Sequence, residues 1–265
     1  MLLLIALACG PQPLEPTGTL TEETFRSEWV DDDYVLRIRT PPGFEAGSDA
    51  PLVVQLDPTF VGLKQYDHTV GLVSQRAAAG DWPDAVVLGV DYPNPATRDR
   101  DYLPPEPPDA EFLGDGADLF FRALREEILP YVEGALELTP SRRVIVGHSN
   151  GGVFAAYAAM RFDIAEGALF DGVVSADFGV GTALFTYEGW LAERGDDLPL
   201  RWYASRAVYN GATQEITHEA LFERLRSRGY PSLALQTEVL GTDHGGAVVP
   251  SFERGLDFVF AEVAP

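Results

Sequence analysis

The sequence predicts an α/β domain with a mostly parallel central sheet and helices on both faces. Three observations lead there. Short continuous apolar runs, 51–56 (PLVVQL), 85–90 (AVVLGV) and 143–146 (RVIV), have the length and β-branched content of strands buried on both faces. Segments with helical apolar spacing alternate with them, which calls for crossover connections and a parallel sheet. A glycine-rich turn, 147–152 (GHSNGG), joins one such strand to a small-residue helix, 153–160 (VFAAYAAM).

Taken in chain order, Leu2 to Ala8 is an apolar run far too short for a membrane span, and it ends at Ala8-Cys9-Gly10. This resembles a bacterial lipoprotein signal with Cys9 as the lipidated residue. Residues 1–9 are therefore expected to be a signal segment, 10–24 an extended Pro/Thr tether, and 25–265 the folded domain. The expected location is periplasmic or outer-membrane-associated, with membrane attachment through Cys9. Cys9 is the single cysteine, so no intramolecular disulfide or cysteine metal cluster can form.

Residues 25–29 and 34–39 alternate like a hairpin around Asp31-Asp32-Asp33, an acidic turn without the spacing of a calcium loop. After the strand at 51–56 the chain turns at Asp57-Pro58-Thr59. Residues 91–116 form a long loop rich in proline and charge after the next strand, at the carboxyl edge where such sheets bind ligands. Within it Arg98, Arg100 and Tyr102 either bind substrate or lock the loop through Arg–Asp pairs. Residues 117–132 carry an apolar stripe at helical spacing, with Pro130 expected to bend or end the helix. A strand at 170–175 leads to Asp177 and a loop reaching Pro199; further strands are expected at 200–204 and 232–240, and a closing helix at 248–263.

The chemistry is read from the turn. Gly147-His148-Ser149-Asn150-Gly151 has G-x-S-x-G spacing, in which a serine on a strained strand-to-helix turn needs neighbours without Cβ atoms. Ser149 is the candidate nucleophile, and the helix behind it aims N–H groups at any oxyanion. Serine needs a base, and four histidines are available. His148 adjoins the nucleophile and is assigned to substrate contact. His68 precedes it, against the Ser, acid, His order of α/β-hydrolases, and His218 sits on a segment read as a surface helix. His244, in a glycine-rich loop between the last strand and the closing helix, is left as the base. For the acid Glu215 is favoured, as the carboxylate following the strand at 200–204; Asp177 and a Ser–His dyad stay open. Oxyanion donors are the N–H of Asn150 and that of Asp57 or Thr59, since Pro58 has none.

The residues QLDPT (55–59), RDRDYLP (98–104), REEILPYVE (125–133), GHSNGG (147–152) and DHGGAVVPSFERGL (243–256) occur in an order and spacing that resembles the putative-esterase family of α/β-hydrolases, which includes the enterochelin esterases. The resemblance implies the α/β-hydrolase fold and ester hydrolysis, with Ser149 and His244 as nucleophile and base. No cofactor is called for, and no metal set is apparent from the scattered histidines. With 41 acidic against 19 basic residues and a net charge of −22, the chain is a poor partner for nucleic acid, and a small-molecule ester is expected. Acyl transfer to an alcohol through the same acyl-enzyme, or a non-catalytic binding protein on a hydrolase fold, are the alternatives.

Overall fold

The computed structural model describes residues 15–59, 65–92, 94, 96–104, 116–161, 167–195, 197–209 and 211–261. Cys9 and the signal segment lie outside them. Eight strands form one sheet in the order β1-β2-β4-β3-β5-β6-β7-β8. They are β1 (Thr19–Ser27), β2 (Asp32–Thr40), β3 (Leu52–Leu56), β4 (Val86–Asp91), β5 (Arg143–His148), β6 (Gly172–Ala176), β7 (Arg201–Ala207) and β8 (Ala234–Leu240). β1 pairs antiparallel with β2, and β2 antiparallel with β4; from β4 through β3 to β8 every pairing is parallel.

The central strands are apolar throughout because helices cover both faces. Leu52, Val54 and Leu56 of β3 join one core with Phe120, Phe154 and Tyr157, whereas Val53 joins a second core with Val70, Val73, Phe252 and Leu256. The first face carries α3 (Ala117–Arg122) and α5 (Asn150–Met160); the second carries α1 (Gln65–Ala79) and α8 (Val248–Phe260). Among the described residues no helix is long and apolar enough to cross a membrane.

Three local expectations are corrected. Residues 19–24, expected in the tether, belong to β1, and buried Arg39 donates from Nε to the Thr17 carbonyl at 2.7 Å. As the outer strand of a hairpin, β1 is mostly solvent-exposed and so lacks the apolar alternation that identifies a strand. The helix expected over 117–132 runs on past Pro130. A π-helical segment (Ala123–Ile128) leads into α4 (Leu129–Leu136), so the proline falls in the first turn of α4, where its missing N–H matters least. The loop expected from Asp177 to Pro199 contains α6 (Thr182–Arg194).

β3 lies between β4 and β5, so the chain leaves it on one side for β4 and reaches β5 on the other. The carboxyl ends of β3 and β5 therefore flank the crevice where ligands bind in open parallel sheets. Asp57 follows β3 directly and Ser149 follows β5.

Candidate active site

Ser149 has φ 58° and ψ −124°, a conformation costly to a residue with a side chain, by about 1–3 kcal/mol. The surroundings enforce it. Its N–H donates to the Ala176 carbonyl at 3.0 Å, and its carbonyl accepts the Val153 N–H of α5 at 3.0 Å. The flanking glycines are needed for space: a Cβ at Gly147 would lie 2.2 Å from the Gly151 carbonyl oxygen, and one at Gly152 would lie 2.9 Å from Phe178 Cβ. Gly147→Ala is expected to lower unfolding free energy by about 3 kcal/mol or to prevent folding, because its obstacle is backbone rather than a movable side chain; urea unfolding would measure it.

His244, the expected base, sits in the loop between β8 and α8. His244 Nδ1 donates to Asp177 Oδ2 at 2.6 Å. Asp177, fully buried at the end of β6, also accepts the Ala207 N–H on Oδ1 at 2.6 Å. Burial alone would push this carboxyl up, but the hydrogen bonds from His244 and Ala207 hold it below the usual range, so it is ionised. With Nδ1–H committed to a carboxylate, Nε2 carries the lone pair that a base needs. A Ser149 Oγ–His244 Nε2 hydrogen bond is not among those of the described residues; bonds of this kind commonly tighten only in the substrate complex.

Glu215 does not occupy the acid position. It lies in the first turn of α7 (Ala212–Arg228), half-exposed, with Oε1 accepting from Arg206 at 2.7 Å. Asp177 was legible as the residue directly ending an all-buried strand, where a carboxylate needs a partner. His148 is not at a substrate surface either. It is buried, and its Nε2–H donates to the His244 carbonyl at 2.9 Å, with the two rings 4.4 Å apart. It holds the base's backbone.

Of the expected substrate-binding residues of the 91–116 loop, Arg98 and Tyr102 are buried, and Arg100 is exposed but ion-paired. Arg98 forms a bidentate pair with Asp57 at 2.8 and 2.6 Å. Arg100 bonds both Asp101 oxygens at 2.6 and 3.2 Å and reaches Asp32 at 3.2 Å. Tyr102 is buried against Phe120 and Phe154, and its hydroxyl accepts the Asp57 N–H at 3.2 Å. The same bond removes Asp57 as an oxyanion donor. Thr59 bonds Asp91 through its hydroxyl, while its N–H has no partner among the described residues. Asn150 opens α5 and donates from Nδ2 to Asp99 at 2.7 Å.

Beside Asn150 lies an open cavity of about 530 Å³, lined by Leu103, Val153, Val180, Leu184 and the start of α7. His148, Asp177 and His244 have possible ligand atoms within 4.8 Å of one another, the metal-capable group of the described residues. The hydrogen bonds above already engage them.

Residues 27–170 match the family described as Putative esterase, more than half of the chain. The chain belongs to the Putative esterase family. A curated relative, the ferri-bacillibactin esterase BesA of Bacillus subtilis (strain 168), is 35% identical over 134 residues, 46% of this chain. That similarity spans 45% of the relative's own length. Among solved structures, the BES protein from Bacillus cereus superposes with a TM-score of 0.72 at 19% identity, covering 93% of this chain and 97% of that one. Siderophore hydrolase EstB from Aspergillus nidulans gives 0.71 at 16%, covering 91% and 94%. At these identities the structural matches speak for the fold.

The sequence places His218 on a surface helix, as a solvated residue. It is buried against Phe178 and Phe222, because α7 turns this face onto the sheet. Burial, reinforced by Arg206, lowers its pKa to about 4, and burial beside His244 does the same for His148. Both are then neutral in the fold at pH values where unfolded histidine is protonated, so stability falls as pH drops from about 6.5 toward 4. At pH 5 each costs about 2 kcal/mol relative to pH 8. Urea unfolding at both pH values should show His218→Phe reducing that loss by about its own share; an unchanged pH slope would contradict this.

Proposed function

We propose that this chain is a serine esterase working through an acyl-enzyme, with Ser149 as nucleophile, His244 as base and Asp177 as the orienting acid. Ser149 Oγ attacks the ester carbonyl carbon as its proton passes to His244 Nε2. The ionised Asp177 carboxylate, which accepts His244 Nδ1–H, stabilises the imidazolium. The oxyanion forms where the N–H groups of Asn150 and Thr59 point, and His244 returns the proton to the departing alkoxide. Water then attacks the acyl carbon as its proton passes to His244, and the tetrahedral intermediate collapses by breaking the bond to Ser149 Oγ, which takes the proton back from His244 as the acid leaves.

The observation that carries this reading is the hydrogen bond from His244 to buried Asp177 beside a strained serine turn: a structural histidine needs no ionised carboxylate at Nδ1 and no serine at positive φ nearby. The relatives' names attach siderophore hydrolysis to those proteins, and a small-molecule ester is the substrate class adopted for this chain.

Rapid mixing with 4-nitrophenyl hexanoate tests the reading. A burst of 4-nitrophenol of one equivalent per chain, absent from Ser149→Ala, is expected; turnover unchanged in Ser149→Ala would refute it. The lipoprotein reading of Cys9 belongs to the proposal too, and metabolic labelling with palmitate, lost in Cys9→Ser, would test it.

A further inference from the structure

An enzyme that receives an ester bearing an anionic group needs cations near its nucleophile. Here the described arginines of the loop at the site are already paired with carboxylates. Arg98 is buried in a bidentate pair with Asp57, and Arg100 is held by Asp101 and Asp32. Asp99 adds an acidic group on the Asn150 side chain.

The cavity beside Asn150 is built for something else. Its walls are the side chains of Leu103, Val153, Val180 and Leu184, completed by uncharged Thr213 and Gln214, and none of its described lining residues is charged. Placing a carboxylate or catecholate in such a pocket strips it of water without supplying a partner, whereas an alkyl chain or plain ring loses only unfavourable hydration.

We propose that this cavity receives an uncharged, apolar portion of the ester, and that the enzyme discriminates against esters with an anionic group at that position. The proposal rests on the serine-esterase reading. Its test compares kcat/KM within two matched pairs, one varying the acyl side (4-nitrophenyl hexanoate against mono-4-nitrophenyl adipate) and one the alcohol side (hexyl acetate against 6-acetoxyhexanoate). The neutral member should be preferred by about 10-fold or more in at least one pair. Thr213→Arg, at an exposed wall position, should narrow that ratio by about 3- to 10-fold through charge attraction at short range. Equal or better turnover of the carboxylate member in both pairs, or a ratio that Thr213→Arg leaves unchanged, would overturn the proposal. Acylation of Ser149 by 4-nitrophenyl hexanoate, read by intact mass in the same samples, separates the two failures: a missing adduct counts against the esterase reading, and an adduct without discrimination counts against the cavity assignment alone.

Discussion

Asp177→Asn is expected to lower kcat by on the order of 10³- to 10⁴-fold while leaving the fold intact. The reason lies in what each carboxylate oxygen does. Oδ1 accepts the buried Ala207 N–H at 2.6 Å, so the asparagine carbonyl must stay there to satisfy it. The amide NH₂ is then forced to face His244 Nδ1, which becomes an acceptor. The imidazole proton moves to Nε2, and the ring can no longer take a proton from Ser149. Glu215→Gln, by contrast, removes one partner of a half-exposed ion pair with Arg206 and should change kcat by less than about 2-fold. Steady-state hydrolysis of 4-nitrophenyl hexanoate at pH 8 by the two variants checks both. A large loss in Glu215→Gln with little in Asp177→Asn would restore Glu215 as the acid.

The second large effect is on stability. Arg98→Ala should lower unfolding free energy by about 3–5 kcal/mol, because it leaves the Asp57 carboxylate buried without its guanidinium. Asp57 holds together several parts of the site. Its N–H meets Tyr102, its carboxylate meets Arg98 and packs against Gly151, and its φ of 54° sets the turn that carries Thr59. Arg98→Lys should recover little, since an ammonium cannot reproduce two parallel bonds. In Arg98→Ala the burial that already raises the Asp57 pKa, aided by the Asp91 and Asp99 charges, acts without the opposing guanidinium and raises it further. A raised folded-state pKa means that the folded chain takes up a proton where the unfolded chain does not. The variant's deficit should therefore shrink between pH 7 and pH 5. Urea unfolding at the two pH values measures this; a loss below about 1 kcal/mol would show that the pair contributes little to the fold.

What the sequence disclosed follows from which signals are local. The elbow was readable because its requirement is steric and confined to six residues: Gly147 and Gly152 have no room for a Cβ. The buried strands were readable because both their faces are covered, which leaves continuous apolar runs in β3, β4 and β5. His244 came from chain order and elimination, and the structure gives it a carboxylate partner. The sequence left the choice between Glu215 and Asp177 open because it depends on where two strands end relative to one another. β6 and β7 are in parallel register from Gly172 and Arg201, which brings Asp177 to the Ala207 N–H and to the His244 loop, while α7 carries Glu215 off toward Arg206. Arg98, Arg100 and Tyr102 were ambiguous for the same reason. A charged loop residue looks alike in sequence whether it faces a substrate or a buried aspartate, and only the packing of the short helix α2 (Arg98–Tyr102) on α5 distinguishes them. His218 looked solvated because α7 is polar overall, and the face it turns to Phe178 is narrow.

The central claim is that Ser149 is a nucleophile activated by His244 and Asp177. Its most direct test is the rate and site of labelling by a fluorophosphonate, followed by intact mass and peptide mapping in the wild type, Ser149→Ala, His244→Ala and Asp177→Asn. The account predicts a single adduct on Ser149 in the wild type, none in Ser149→Ala, and labelling slowed by on the order of 10³-fold or more in the other two. An unlabelled, folded wild type, or an adduct that forms equally fast without His244, would contradict it.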